Sequence, residues 1–387
     1  MHDWLPLSEG EQALVAAAAS FARERIAPNA ADWERGRQPL PRDVFRQWAA
    51  LGLNAMEVSP AAGGRGASFH CRIAVAETVA RTCLPSAFAL INAHGGAVRI
   101  EREGSADQVA RLLPRLVAAE AICAPSFSEP GAGSDFAAIT SLAERCAGGW
   151  RLTGEKAWVT NGAHAEYAVM AAQTEPGARG DGIASFIVDL NAAGVERRPP
   201  YALMGGHAIG ASAIRLDDVF VPDADLFAPP SQAFKRALIA ITTARVHAAA
   251  MACGIVAGAL ARAVGYAQER RSFGTPLIEH QGLRWSLADV ATELEAARGL
   301  VARAAGQIAR GADATLAAAQ AKSFAAGMAL RGVAACMQAM GAVGLREDEP
   351  FGRHLAAARI VAYVDGTTEI QRDRIGRLLG RHYAALD

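Results

Sequence analysis

Residues 126–135 read SFSEPGAGSD, and residues 154–162 read GEKAWVTNG. In the first stretch the small residues let a ligand approach the backbone closely, and the serines offer hydroxyl groups. In the second, Trp158 and Thr160 are two positions apart, which puts both on one side of a strand. An indole and a hydroxyl so arranged can flank a planar heteroaromatic cofactor. Each stretch alone also fits a plainer interpretation: a turn at a domain boundary, or a core tryptophan beside a hairpin.

The region around these stretches, from about residue 121 to 230, has the pattern of a β domain. Its strand-like runs are residues 150–153, 157–160, 167–170, 185–188 and 213–216. Gly-Gly, Asn-Gly and Asp-Gly pairs between the runs are typical of tight turns. This spacing predicts a small antiparallel barrel or sandwich.

Both flanking regions have helical patterns. Ser8 and Glu11 have the spacing of a capping box at the start of the first helix. Further helices are predicted to begin near residues 42, 71, 86 and 105. The region after residue 230 is Ala-rich with long helical patterns, which predicts a bundle. Its predicted breaks are Gly311, Gly341 and Pro350.

The predicted fold class is therefore α+β with three domains. We expect an N-terminal helical domain over residues 1–120, a middle β domain over 121–230 and a C-terminal helical bundle over 231–387. The chain has no alternating β-α pattern and no G-x-G-x-x-G after a strand. Both absences argue against a Rossmann dinucleotide domain.

Composition excludes several classes of protein. Of the 387 residues, 51% are hydrophobic and 20% charged, and the formal net charge is zero. That balance argues against a nucleic-acid-binding protein and against electrostatic attachment to a membrane. Six scattered cysteines without a C-x-x-C pair indicate buried thiols in a reducing compartment, and we expect the cytoplasm. No signal peptide is evident, and no spacing of histidines predicts a metal site.

The longest apolar run covers residues 246–261. It is shorter than the roughly 20 residues that span a membrane, and it contains a histidine. We therefore expect a helix buried in the protein core and no membrane span.

Residues 364–372, VDGTTEIQR, carry an isolated carboxylate. Asp365 lies on a Gly-Thr turn that leads into a predicted helix. A carboxylate beside a helix N-terminus, followed by a flexible glycine, can serve as a base held close to a bound ligand.

Together these motifs resemble the acyl-CoA dehydrogenase family of flavoproteins. The family has a T/S-E-P-x-A-G-S-D loop followed by a K-x-W-x-T-N-G strand, which residues 126–135 and 154–162 match. Residues 268–274 resemble its E-R-x-x-F-G segment, and residues 338–341 its Q-x-x-G-G turn. The Asp-Gly-Thr turn occupies the E-G-T position. The motifs occur in order, and the resemblance covers essentially the whole chain.

The resemblance implies a middle β-barrel, a C-terminal four-helix bundle and FAD bound between them. Ser128 and the backbone of Phe127 would bond the isoalloxazine, Trp158 would cover one side of it, and the Thr160 hydroxyl would point toward flavin N5. The other residues that match cofactor-binding positions are Gly133, Ser134, Val159, Thr367 and Glu369. A neighbouring subunit would hold the adenylate and pyrophosphate with Arg270, Ser272, Phe273, Gln338 and Gly341. A homodimer or homotetramer is therefore expected.

The implied reaction is α,β-dehydrogenation of an acyl-CoA or a carrier-protein thioester. Asp365 would remove the α-proton, flavin N5 would accept the β-hydride, and an electron-transfer flavoprotein would accept the electrons. The substrate-binding positions are Ser134, Arg245, Val364 and Gly366. Arg245 fits an interhelix salt bridge as an alternative to a ligand contact. Histidines such as His280 are expected to serve helix packing, and Glu129 and Asp135 to stabilise their loop.

Asp365 departs from the family pattern, because most members have glutamate there. Aspartate is one methylene shorter, about 1.5 Å less reach, and a misplacement of ~1 Å can cost on the order of 100-fold in rate. Some members carry the base on an earlier helix, but residues 243–244 of this chain hold no carboxylate. Val364 replaces a frequent tyrosine, which leaves room for a bulkier or α-branched acyl group.

Four hypotheses remain open at this point. The first is the FAD-dependent thioester dehydrogenase. The second is a flavin oxidase of small carbon acids, since nitroalkane oxidases belong to the superfamily and have aspartate at the base position. The third is a non-oxidative lyase or desulfinase of CoA thioesters. The fourth is a catalytically silent flavoprotein subunit.

Overall fold

The structure is a computed structural model that describes residues 3–384. The first two and last three residues, at the outer ends of the predicted terminal domains, lie outside this range. Along the chain, helices are followed by a sheet and then by helices again. This order confirms the predicted α+β fold class with a helical, a β and a second helical domain.

The N-terminal helices are α1 Glu9–Phe21, α2 Ala30–Arg35, α3 Arg42–Ala50, α4 Phe69–Glu103 and α5 Ala106–Val117. The predicted capping box of α1 is present: the Ser8 side chain accepts from the Glu11 N–H, and the Glu11 carboxylate accepts from the Ser8 N–H. A π-helical segment, Ala22–Ile26, continues α1. The predicted helix starts near residues 42 and 105 are confirmed.

Helix α4 bends sharply at Cys83, whose backbone is non-helical (φ −157°, ψ 103°). Two helix starts were predicted in this range, near residues 71 and 86, and the bend separates two such segments. Arg72 and His94, on opposite sides of the bend, both contact the carboxylate of Glu57. A straight helix would hold them roughly 33 Å apart, so the two segments fold back toward each other. Pro85, two residues after the bend, lies in the first turn of the second segment, where a missing backbone N–H costs no helical hydrogen bond.

The middle domain contains, within the described range, one eight-stranded sheet. Its strands are β1 Cys123–Ser126, β2 Leu142–Cys146, β3 Gly149–Val159, β4 Tyr167–Gln173, β5 Ile183–Asp189, β6 Val195–Arg197, β7 Ser212–Pro222 and β8 Leu226–Ala228. The order is β6-β7-β3-β2-β4-β5-β8, and β1 pairs with β4.

Two details of the sheet differ from the prediction. The runs at 150–153 and 157–160 were predicted as separate strands but belong mainly to β3. Gly154 (φ +151°) absorbs a register shift inside β3, and a side chain there would lie 2.3 Å from the Ser141 hydroxyl. Strand β4 pairs in parallel with β1 and β2, so the sheet is mixed and not purely antiparallel. The chain enters β1 from α5 and not from a hairpin, which permits the parallel pairing.

The C-terminal domain contains α6 Ala233–Glu269, α7 Gln281–Ala309, α8 Thr315–Ala339, α9 Phe351–Tyr363 and α10 Thr368–Tyr383. A small hairpin of β9 Arg271–Ser272 and β10 Thr275–Pro276 separates α6 from α7. The predicted breaks are confirmed: Gly311 and Gly341 have left-handed backbones after α7 and α8, and Pro350 immediately precedes α9.

Helices α4 and α6 have the length and apolar composition of membrane spans. In the folded protein, however, 89% and 61% of their most apolar windows are buried, as in core helices. Helix α6 packs against α4 at two glycines. A Cβ added at Gly254 would lie 2.4 Å from the Glu77 carbonyl oxygen, and one at Gly258 would lie 2.2 Å from that of Arg81.

Candidate active site

The turn between α9 and α10 carries the predicted base. Asp365 and Gly366 both have left-handed backbones, with φ of 56° and 91°. A left-handed conformation is uncommon outside glycine, and aspartate is among the residues that tolerate it. Thr367 then caps α10, because its side chain accepts from the Ile370 N–H. The carboxyl group therefore projects from a tightly defined turn and not from a flexible loop.

Side chains from three helices bind the backbone of this turn. Arg245 of α6 donates from Nε to the Asp365 carbonyl at 2.9 Å. Gln371 of α10 donates from Nε2 to the Asp365 and Gly366 carbonyls at 3.3 and 2.9 Å. Lys322 of α8 donates to the Gly366 carbonyl. Neither Lys322 nor Gln371 was predicted as part of the site.

The electrostatics of the Asp365 carboxyl group depend on burial and on two nearby cations. Burial raises its pKa, and the positive charges of Lys322 and Arg245 oppose that rise. Burial lowers the pKa of Lys322 to about 8 and that of Arg245 to about 10. Among the described residues, Oδ2 of Asp365 is buried and has no hydrogen-bond partner. A carboxylate oxygen with no protein partner is available to accept a proton from a ligand.

Arg245 is 3% exposed and binds the turn itself. This contact is not the interhelix salt bridge considered for Arg245, and the contact of Arg245 with the CoA portion stays a prediction. Its Nη1 atom is buried and has no partner in the part of the chain that the structure describes.

The loop 126–135 and the strand segment 154–162 lie side by side. The Ala157 N–H donates to the Ser128 carbonyl at 2.9 Å. Beneath the loop, Lys156 donates to the Glu129 carboxylate at 2.6 Å, and Glu129 also accepts from the backbone N–H groups of Thr140 and Ser141. Although burial raises the pKa of Glu129, Lys156 and these hydrogen bonds lower it to about 2. Glu129 thus anchors the loop, as expected, and Lys156 is an anchor that the sequence did not reveal.

The loop is also fixed to the bundle by aromatic rings. Phe127 contacts Phe136 edge-on at 5.6 Å, and Phe136 stacks on Phe234 of α6 at 5.3 Å. Asp135 pairs with Arg179 at 2.8 Å on the surface. This leaves the glycine-rich tip of the loop on the exposed side.

Trp158 lies at a bulge in β3, where the register against β7 shifts between Lys156 and Val159. Its φ is 59° and its side chain is 59% exposed, which contradicts the interpretation as a core tryptophan. The bulge also interrupts the simple alternation from which Trp158 and Thr160 were assigned to one side. Thr160 is half-buried just beyond the strand, Val159 is buried, and the Trp158 ring lies 4.3 Å from that of Tyr201.

The residues assigned to a neighbouring subunit are separate from this site. Arg270 and Phe273 are exposed at the small hairpin after α6, where Phe273 is 95% exposed. His280 bonds the Ser272 carbonyl at 3.1 Å and contacts the Phe273 ring, so it holds the hairpin. Gln338 and Gly341 are also exposed. Glu369, which was assigned to the cofactor site of the same chain, is exposed in the first turn of α10.

The residues present fit a flat conjugated cofactor such as the flavin of FAD. A Cβ added at Gly131 or Gly133 would meet nothing within 4 Å among the described residues, so the backbone there is open to close approach. The exposed indole of Trp158 offers a surface for stacking. Ser128 and Thr160 supply hydroxyl groups. Within residues 3–384 no group of His, Cys, Asp and Glu converges as metal ligands do.

Known proteins resemble the chain over its full length. Models of the acyl-CoA dehydrogenase N-terminal, middle and C-terminal domains match residues 8–120, 124–219 and 233–380. Cyclohexane-1-carbonyl-CoA dehydrogenase of Geobacter metallireducens is 34% identical over 92% of this chain and 93% of its own. 3-Sulfinopropanoyl-CoA desulfinase of Paraburkholderia xenovorans is 34% identical over 97% of both chains.

A solved structure of the electron transferring flavoprotein of Acidaminococcus fermentans, from work on flavin-based electron bifurcation, superposes with a TM-score of 0.94. The identity is 29%, over 97% of this chain and 99% of that one. Because the domain models together cover most of the chain and both relatives exceed 30% identity along nine-tenths of it, the chain belongs to the acyl-CoA dehydrogenase family.

Proposed function

We propose that this protein catalyses α,β-dehydrogenation of an acyl thioester, with Asp365 as the base that removes the α-proton. The observation that carries the proposal is the Asp365 carboxyl group: it stands on a rigid turn, has a buried oxygen without a protein partner among the described residues, and faces two cations. An ionisable group whose pKa is shifted by burial and by specific charged neighbours is a candidate functional residue.

Membership of the family makes the protein an oxidoreductase acting on CH–CH donors, with FAD as cofactor. When bound, FAD would supply the acceptor for the β-hydride. The proposed flavin ligands in the same chain are Phe127, Ser128, Gly133, Ser134, Trp158, Val159, Thr160, Thr367 and Glu369. A second copy of the chain would contribute Arg270, Ser272, Phe273, Gln338 and Gly341, which are mostly exposed in the single chain.

The protein's own contribution to proton removal is to hold an ionised carboxylate next to the α-carbon. The backbone N–H of Asp365 would bond the thioester carbonyl, which makes the α-proton more acidic. The alternative base position is filled by Thr243, whose hydroxyl donates to the Ile239 carbonyl within its own helix. Asp365 is therefore the base in this proposal.

The proposed substrate is an acyl group that is bulky or branched at the α-carbon. Val364, half-buried beside Asp365, is smaller than the tyrosine frequent in the family. The relative from Geobacter is named for cyclohexane-1-carbonyl-CoA, whose α-carbon is part of a ring. We further propose a CoA or carrier-protein thioester, an electron-transfer flavoprotein as acceptor, a homodimer or homotetramer, and the cytoplasm as compartment.

Anaerobic bleaching of the bound flavin tests the reaction. Straight-chain, α-methyl and cyclohexane-1-carbonyl-CoA are added in turn to wild-type protein and to Asp365→Asn. We expect a thioester to bleach the wild type with slow reoxidation by oxygen, while Asp365→Asn stays yellow. Bleaching of Asp365→Asn at the wild-type rate would refute the assignment of the base, and bleaching by nitroethane with fast oxygen turnover would favour an oxidase.

A second candidate function is removal of sulfinate from a CoA thioester without net oxidation. The relative from Paraburkholderia, named as a 3-sulfinopropanoyl-CoA desulfinase, supports testing it. The experiment adds 3-sulfinopropanoyl-CoA and measures sulfite. Sulfite release with the flavin still oxidised would replace the dehydrogenase proposal, and the absence of sulfite would remove this candidate.

A further inference from the structure

We propose that Lys322 is a positioning residue for the base: it orients the 365–367 turn through the Gly366 carbonyl and, with Arg245, keeps the Asp365 carboxyl group ionised. This inference rests on the proposed function, in which Asp365 removes the α-proton. Nothing in the motifs of the sequence pointed to Lys322, because it lies on α8 within an Ala-rich stretch.

The lysine content of the chain makes Lys322 unusual. Only three of the 39 basic residues are lysines, and all three lie within the described range. Lys235 is exposed, whereas Lys156 and Lys322 are 0% and 1% exposed. Wherever a positive charge faces solvent this chain almost always has arginine, so lysine at two interior positions calls for a local explanation. Lysine presents a compact point charge, whereas arginine presents a broad planar group.

Burial of the Lys322 ammonium costs free energy unless the turn at residues 365–367 provides partners for it. A buried ammonium loses its hydration and needs a partner of opposite charge or several acceptors. Lys322 donates to the Gly366 carbonyl, and its charge interacts with that of Asp365. Burial lowers its pKa to about 8, so the ammonium is still mostly protonated at neutral pH.

The charges around the carboxyl group come from several elements. The charges of Lys322 of α8 and Arg245 of α6 both act on the Asp365 carboxyl group. From α10, Glu369 acts on Lys322 and Arg374 acts on Arg245. Burial favours the protonated acid and raises the pKa of Asp365, and the charges of Lys322 and Arg245 oppose that rise. An opposite charge within about 4–6 Å lowers a carboxyl pKa by roughly 1–3 units.

Three substitutions separate the charge of Lys322 from its hydrogen bond. Lys322→Gln retains a donor without the charge, Lys322→Met removes both, and Lys322→Arg retains the charge. If Lys322 only fastened the turn, glutamine would largely replace it. If its charge also holds Asp365 ionised, both neutral variants should behave alike in their pH dependence.

The measurement is exchange of the α-protons of 3-thiabutanoyl-CoA and 3-thiaoctanoyl-CoA in D₂O between pH 5 and 9. Sulfur at the β-position leaves no β-hydride to transfer, so exchange reports proton removal alone. We expect the acid midpoint of exchange to rise by about 1–3 pH units in Lys322→Gln and Lys322→Met, and to stay near the wild-type value in Lys322→Arg. Circular dichroism and FAD content verify folding.

Lys235→Gln is the matched control, because it removes an exposed lysine charge from the same domain. An unchanged midpoint in Lys322→Gln would overturn this inference. Should the larger arginine prevent folding, the comparison of Lys322→Gln with wild type decides alone. Asp365→Asn keeps the two proposals apart. Exchange in Asp365→Asn, or no exchange in the wild type with either probe, counts against Asp365 as the base. If exchange is lost only in Asp365→Asn, the base assignment stands and the Lys322 variants alone decide the Lys322 inference.

Discussion

His247 is a buried histidine of α6 whose ring contacts Phe88 edge-on at 6.4 Å. It is 5% exposed, and neither ring nitrogen has a hydrogen-bond partner among the described residues. Burial lowers its pKa to about 3; the charge of Arg72 lowers it further, while Glu57 opposes the shift. Buried His354 of α9 likewise has its pKa lowered to about 3 by burial. Both side chains therefore stay neutral in the folded protein at neutral pH.

These histidines predict that the protein loses stability in mild acid. Between pH 6.5 and 4.5 the unfolded chain binds protons at these positions and the folded chain does not, so the free energy of unfolding falls with pH. Below pH 4.5, Glu57 and Glu129 add to the loss, because their folded pKa values are lowered to about 2. His247→Leu should make the fall between pH 6.5 and 4.5 less steep and stabilise the protein at pH 7 by about 1 kcal/mol.

Denaturant unfolding at several pH values measures this slope. His382→Leu, which removes an exposed histidine from the last turn of α10, serves as control and should leave the slope unchanged. A His247→Leu protein with the full wild-type slope would contradict the assignment to His247.

The sequence identified Asp365 because its turn and its motif are local. It did not identify Lys322 or Gln371 as neighbours of that turn. Lys322 is 43 residues from Asp365 in the chain, and the packing of α8 beside α10 brings it there. The scarcity of lysine in the chain could have drawn attention to Lys322, because a lysine in an apolar stretch of an arginine-rich chain is unexpected.

At the scale of elements, the contact between α4 and α6 depends on glycines. Gly254 and Gly258 are four residues apart and so lie on one face of α6. A Cβ added at either glycine would lie less than 2.5 Å from a backbone carbonyl oxygen of α4. Helix propensity alone would favour alanine at both positions, by roughly 1 kcal/mol each.

Gly254→Ala should therefore destabilise the protein by about 1–3 kcal/mol, because overpacking outweighs the gain in helix propensity. Gly265→Ala in the same helix is the control: a Cβ there meets nothing within 4 Å among residues 3–384, and we expect stabilisation of about 0.5–1 kcal/mol. Thermal unfolding of both variants checks the signs. Equal changes in the stability of Gly254→Ala and Gly265→Ala would show that the close packing of α4 and α6 at Gly254 does not contribute to stability.

Element boundaries were predictable where a local signal ended them. The capping box, Gly311, Gly341 and Pro350 each fixed a helix end from the sequence. Strand β3 was divided wrongly because its irregularities occur inside a paired strand, where Gly154 looks like a turn residue. Partners in a sheet decide whether such a residue ends a strand, and those partners are distant in sequence.

At the scale of the whole molecule, the C-terminal domain exposes several large apolar side chains in the single chain. Phe273, Leu345 and Trp285 are 95%, 73% and 59% exposed. A contiguous apolar patch marks an interface, whereas single exposed apolar side chains are common on protein surfaces. The family resemblance assigns Phe273 to the cofactor of a neighbouring subunit, and this assignment is a prediction.

Phe273→Ala should weaken FAD retention by about 10–100-fold without unfolding the chain, because an exposed ring contributes nothing to its own core. FAD absorbance after gel filtration, with circular dichroism, measures both effects. Phe220→Ala is the control, since Phe220 is a partly exposed ring of β7 that packs under Arg151. Full FAD retention by Phe273→Ala would argue against a shared cofactor site.

The distribution of lysines also has a practical consequence for covalent labelling. With two lysines enclosed in the protein, an amine-reactive fluorophore has one side chain to modify, Lys235, besides the terminal amino group. Lys235 adjoins Phe234, whose ring stacks on Phe136 below the loop 126–135. A dye on Lys235 would therefore lie one residue from this aromatic contact, with no substitution needed to place it there.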